Sequence, residues 1–238
     1  LRLKGEVILI FVTGDIHRHL DINKLNIDKF PQQKVMTKND FLIVAGDFGI
    51  GWDNSKEDLY WRKWLHNKSF STLFVDGNHE NFDFLDSLEV HQWNGGKVHF
   101  INDSIIHLMR GQVYSINGIK IFTFGGAEST DKFNRTPGIS WWERELPSFS
   151  EYNEGLDNLE KHSWQVDYIV THDCSERTFE KMGYNRIGIE NYTKQPTNFF
   201  EVLEEKVSFK HWYFGHYHDD KQLDEFHTVL YDKIIEIS

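Results

Sequence analysis

Residues 73–80, Leu73-Phe74-Val75-Asp76-Gly77-Asn78-His79-Glu80, set an apolar run directly against a cluster of polar side chains. A short run rich in Val, Leu and Phe that stops at Asp and Gly reads as a buried strand, with the polar groups at its carboxyl end. The arrangement recurs on both sides. Upstream, Val7–Val12 leads into Thr13-Gly14-Asp15-Ile16-His17, and Phe41–Ala45 into Gly46-Asp47. Downstream, Tyr168–Val170 leads into Thr171-His172, and Trp212–Phe214 into Gly215-His216-Tyr217-His218.

Between several of these strands lie stretches with helical character, Lys56 to Asn67 and Ser150 to His162. Strands alternating with helices predict an α/β fold with a parallel sheet covered on both faces. Gln112–Ile116 and Ile119–Phe124 flank Asn117-Gly118, a strong hairpin signal, and Thr228 to Ile237 predicts one or two more strands. Two sheets are therefore expected, one from the motif-bearing strands and one built partly of hairpins. Gly125–Ser148 and Cys174–Thr197 read as long loops. No repeat or Pro/Gly-rich linker divides the chain, so residues 1–238 are expected to form one domain.

In open α/β sheets ligands bind at the carboxyl ends of the strands. Five strands would deliver Asp15, His17, Asp47, Asn78, His79, His172, His216 and His218 to one edge. Asp15/His17 and His216/His218 are i, i+2 pairs, which in an extended chain point to one side and can meet one small object. Gly14, Gly46, Gly77 and Gly215 would permit the turns that swing these groups inward. Imidazole, carboxylate and amide together suit first-row divalent metals.

Composition narrows the setting. The 238 residues are 39% hydrophobic and 26% charged, the balance of a soluble globular protein. The net charge of −11 and the lack of a Lys/Arg run disfavour extended nucleic-acid binding. Cys174 is the single cysteine, so no internal disulfide can form, and a reducing, cytoplasmic setting is expected. No apolar run near the start is long enough to span a membrane or laid out as a signal peptide. The chain opens on Leu1 rather than Met, so the natural start is expected to lie upstream. Oligomeric state has no signal in the sequence.

The blocks Gly14-Asp15-Ile16-His17, Gly46-Asp47, Gly77-Asn78-His79-Glu80, Thr171-His172 and Gly215-His216-Tyr217-His218 resemble the five signature blocks of the calcineurin-like metallophosphoesterases, in order. The flanking sequence is similar to bacterial and phage members of that family. The resemblance implies a two-sheet β-sandwich flanked by helices. It also implies two divalent metal ions, manganese first, with iron, zinc or nickel as alternatives. One ion would take Asp15, His17 and His218, and the other Asn78, His172 and His216, with Asp47 bridging. The implied chemistry is hydrolysis of a phosphate mono- or diester, small or nucleotide-like, by a hydroxide bridging the two ions. His79 would act as general acid at the leaving oxygen.

Two departures matter. Ser/Thr protein phosphatases of this superfamily follow the second Gly-Asp with an Asp-Arg pair that grips phosphate and supports the catalytic His. Here Ile50 and Gly51 stand there, so that branch is disfavoured and the partner of His79 has to be sought elsewhere, with Asp53 nearby. Arg18 stands where many relatives have Gly, either to bind a phosphate oxygen or to sit on the surface. Arg135 and Trp141 in the 125–148 loop are candidate substrate contacts, with Trp141 and Trp142 either a stacking surface or a hydrophobic anchor. Alternatives are a nuclease or protein phosphatase of the same superfamily, or a non-catalytic metal-bound interaction module. His91, His99, His107, His162 and His211 fall in no block and read as structural or exposed, and Cys174 as a small buried residue.

Overall fold

The computed structural model describes residues 8–184 and 196–237. In chain order the first strands and helices are β1 (Ile10–Thr13), β2 (Phe41–Ala45), α1 (Lys56–His66), β3 (Ser71–Val75) and α2 (Phe82–Asp86). Five strands follow: β4 (Val90–Trp93), β5 (Gly96–Asn102), β6 (Ile105–Leu108), β7 (Gln112–Ile116) and β8 (Ile119–Phe124). Then come α3 (Phe149–Lys161), β9 (Tyr168–Thr171), α4 (Glu176–Lys181), α5 (Thr197–Lys206) and β10 (His211–Phe214). Three short strands close the chain, β11 (Lys221–Gln222), β12 (His227–Val229) and β13 (Ile234–Glu236).

Among the described residues the strands form a seven-stranded sheet, β13-β1-β2-β3-β6-β5-β4, and a six-stranded sheet, β11-β12-β10-β9-β8-β7. The motif-bearing strands do not share one sheet, as the sequence reading had them. β1, β2 and β3 pair in parallel in the first sheet, whereas β9 and β10 pair in parallel in the second. The β7–β8 hairpin supplies the reason. β8 pairs with β9 in parallel and β7 takes the sheet edge, so the hairpin belongs to a second sheet instead of extending the first. The hairpin Val90–Asn102 and the strand Ile105–Leu108 had no place in the sequence reading either. The faces of β4 are largely exposed, and β6 carries a buried His107, so neither shows clean alternation.

Period-two alternation sorts the side chains into three layers. Ile10, Val12, Ile43, Leu73 and Val75 from the first sheet meet Tyr114, Ile121, Val170 and Tyr213 from the second between the sheets. Phe11, Leu42, Val44 and Phe74 point the other way, under Leu65 of α1 and Leu85 of α2. Phe122, Ile169, Trp212 and Phe214 point outward from the second sheet, under α3, α4 and α5. The result is a two-sheet sandwich flanked by helices.

Helix α3 starts one residue before the expected stretch, with a capping box in which Ser148 and Glu151 exchange hydrogen bonds. The 125–148 segment is a loop carrying two short 3₁₀ turns, at Lys132–Asn134 and Glu143–Glu145. Of the 174–197 segment, Glu176–Lys181 is helical, and residues 185–195 lie outside the described residues, as does Val7 of the first expected strand. Among the described residues no helix is long and apolar enough to cross a membrane.

Candidate metal centre

The parallel pairing within each sheet puts the ends of β1, β2 and β3 side by side, and likewise those of β9 and β10. The polar blocks that follow meet across the gap between the two sheets. Asp15, His17 and His218 offer ligand atoms all within 4.8 Å of one another, and Asp47, His172 and His216 do the same. Asp47 joins the two groups. Its Oδ2 lies 3.3 Å from His17 Nε2, and its Oδ1 lies 3.3 Å from His172 Nε2. The Asn78 side-chain oxygen is 3.1 Å from the same His172 nitrogen.

These side chains do not converge by the extended geometry that their i, i+2 spacing suggests. His17, Arg18, Asp47, His216 and His218 all have positive φ, between 44 and 69°. A left-handed backbone costs a non-glycine residue about 1–2 kcal/mol, and such residues cluster where a site needs them. The left-handed turn also splits the pair after β10: His216 goes to the Asp47 side and His218 to the Asp15 side. Of the four glycines expected to free the turns, Gly46 has a positive φ, +94°. At Gly215 the requirement is space, since a Cβ there would stand 2.2 Å from Asp15 Oδ1.

The electrostatics ask for cations. Asp15 and Asp47 are buried, and Asp15 Oδ2 lacks a well-directed hydrogen bond although His218 Nε2 is 3.2 Å away. Burial raises the cost of ionising Asp47, yet the imidazoles of His172, His17 and His79 outweigh it and hold the carboxyl well below the usual range. Burial likewise opposes a charge on His17, but Asp47, Asp15 and Asp21 push its pKa up to about 9. A ring of imidazoles around two buried carboxylates, one with an oxygen short of a partner, fits divalent metal ions.

The supports come from residues outside the expected ligand set. Glu80, the last residue of its block, is buried and accepts the backbone N–H groups of Phe48 and Gly49 at 2.8 and 2.9 Å. It thereby ties the loop after β2 to the loop after β3. The ammonium of the buried Lys24 donates to the carbonyls of Gly14, Asp15 and Tyr231, and burial lowers its pKa to about 8. His17 Nδ1 pairs with Asp21 at 2.7 Å, which fixes its other nitrogen toward Asp47. Only tertiary proximity marks Lys24 and Asp21, since neither sits in a block.

His79 lies beside this cluster, its Nε2 3.9 Å from Asp47 Oδ2. Its neighbour on the other side is Arg135, whose Nη2 approaches Nε2 at 3.4 Å. Arg135 is itself held by Asp131 at 2.7 Å and by the carbonyl of Ser140 at 3.3 Å. Asp53 does not reach His79 in any described contact and pairs loosely with Arg18 at 3.9 Å. The Arg18 guanidinium lies over the Trp52 ring, 5.0 Å from its centroid. Arg18, Trp52, His17, His79, Arg135 and Ile139 line a cleft of about 430 Å³. Trp141 is half-buried and not among the lining residues, while Trp142 is an anchor: it is buried, packs edge-on against Trp52 and donates to Asp83 at 2.9 Å.

The lariat debranching enzyme of Arabidopsis thaliana is 25% identical over 231 residues, covering 88% of this chain and 54% of its own. The chain thus spans about half the length of this curated relative. A crystal structure of a Staphylococcus aureus protein described as a 5′-nucleotidase superposes with a TM-score of 0.47 at 15% identity, over 94% of this chain and 48% of the other. Residues 8–220, which span every block of the metal cluster, match the calcineurin-like phosphoesterases, and the chain belongs to that family.

Proposed function

We propose that this chain is a two-metal phosphoesterase that hydrolyses a small or nucleotide-like phosphate mono- or diester. The observation that carries the reading is Asp47, whose two oxygens face separate Asp/His groups. Asp15, His17 and His218 would hold one ion and Asn78, His172 and His216 the other, with Asp47 shared. Divalent ions bound there supply an activated water and neutralise charge on the phosphoryl oxygens; manganese is the first candidate, with iron, zinc or nickel suited to the same donors.

The remaining work belongs to the protein. Arg135 donates from the cleft side, where a phosphoryl oxygen would displace its contact with His79. Once Arg135 turns to the phosphoryl oxygen, His79 Nε2 no longer accepts from the guanidinium and is free to carry the proton that it gives to the leaving oxygen. Burial and the Arg135 charge lower its pKa, with Asp47 opposing, so the proton is released more readily than from a free imidazole. The cleft between Arg18–Trp52 and Ile139 receives the organic part of the ester. A single domain, 1–238, and a reducing compartment suited to the buried Cys174 complete the reading.

A second reading has its own observation. His17, Asp47 and His79 also lie within 4.8 Å of one another, which would let His79 bind an ion instead of a proton for the leaving group. The test is an assay of metal-depleted protein resupplied with Mn²⁺, on a nitrophenyl phosphate monoester and the matching bis-ester, with His79→Ala alongside. Turnover that requires metal supports the proposal, and the preferred ester defines the class. Bound metal without turnover on any phosphate ester would overturn it in favour of an interaction module.

A further inference from the structure

The side-chain amide of Asn78 has two chemically opposite ends, and its oxygen is the one able to ligate a metal. The 125–148 loop determines which end faces the centre. Asn78 Nδ2 donates to Ser129 Oγ at 3.1 Å, and Ser129 Oγ donates to Glu145 Oε2 at 2.5 Å. The other carboxylate oxygen, Oε1, accepts the Ser129 N–H at 2.9 Å. Asn78, Ser129 and Glu145 are 5, 3 and 1% exposed, so water does not compete for these bonds. A hydroxyl has one proton. With that proton committed to Glu145, Ser129 Oγ can only accept from Asn78, and the chain of bonds has one polarity.

Glu145 is anchored in turn. Arg110, itself buried, donates through Nη2 to the carbonyls of Arg144 and Glu145 at 2.9 and 3.2 Å. The same guanidinium grips Asp76, two residues before Asn78, through Nε at 2.8 Å and Nη2 at 2.5 Å. Loop and metal-ligand block are thus clamped together through both backbone and side chain.

We propose that Ser129 and Glu145 are positioning residues for one half of the metal centre, locking the Asn78 amide with its oxygen toward His172 and Asp47. The inference rests on the two-metal reading above. It makes the 125–148 loop part of the metal site as well as a wall of the cleft.

The test is calorimetric titration of Mn²⁺ into metal-depleted wild type, Ser129→Ala, Glu145→Gln and Ser129→Thr. The expected result is two ions in the wild type and a 10–100-fold weaker affinity for one of them in Ser129→Ala and Glu145→Gln, the other ion being unaffected. Ser129→Thr, which keeps the hydroxyl, restores the wild-type pattern. If Ser129→Ala does not fold, Glu145→Gln decides. Two ions bound with wild-type affinity in these variants, or both weakened equally, would overturn the inference while leaving the metal centre intact. A wild type that takes up no Mn²⁺ would overturn both.

Discussion

Arg135 Nη2 lies 3.4 Å from Nε2 of His79, although 56 positions separate the two residues in the chain. A guanidinium this close faces any phosphoryl oxygen that His79 serves. Arg135→Ala should lower kcat/KM on a phosphate ester by roughly 10²–10³-fold, and Arg135→Lys should recover little, because an ammonium cannot donate in a planar fork. Steady-state kinetics on the metal-loaded variants check this.

His79→Ala separates the two roles open to that residue. As a general acid, its loss should cost about 10²–10⁴-fold in kcat with metal content unchanged. Elemental analysis of the purified variant is the check, and a loss of one ion would favour the ligand role.

Glu80→Ala should be among the more destabilising single changes near the site. It would leave the N–H groups of Phe48 and Gly49 buried without their acceptor. The expected loss is about 2–4 kcal/mol, read from urea unfolding of the metal-free protein.

Gly46→Ala would place a Cβ 2.0 Å from His172 Nδ1 on a backbone with φ +94°. The imidazole cannot yield without leaving Asp47. Loss of Mn²⁺ binding is expected even where circular dichroism shows a folded chain.

His99 is buried against His107, its Nδ1 3.1 Å from the partner's Nδ1. Burial first, and the neighbouring imidazole second, push its pKa from 6.5 down to about 4. The folded state therefore favours neutral His99. Its contribution to stability is fully present above pH 6.5 and is lost as pH falls toward 4. The loss should be on the order of 2 kcal/mol, and His99→Gln should flatten this part of the stability curve. Denaturant titrations at neutral and mildly acidic pH measure it.

Much of this protein was legible in residue order alone. β2, β7 and β8 lie where apolar runs and the Asn117-Gly118 turn placed them, because strand identity and tight turns depend on local side-chain and backbone preferences. The family was legible too, since five polar blocks each follow a strand. What the sequence could not express was lateral pairing. β3 chose β6, and β9 chose β8, so the motif strands fell into two sheets, a choice made by contacts between segments far apart in the chain. The same holds for the backbone turns that split His216 from His218, and for Lys24, Arg110, Ser129 and Glu145 around the centre. Each is an ordinary polar residue in its local sequence. Its role arises from a hydrogen bond across space to a buried partner, and such a bond exists only once the core has excluded water and fixed both ends within about 3 Å.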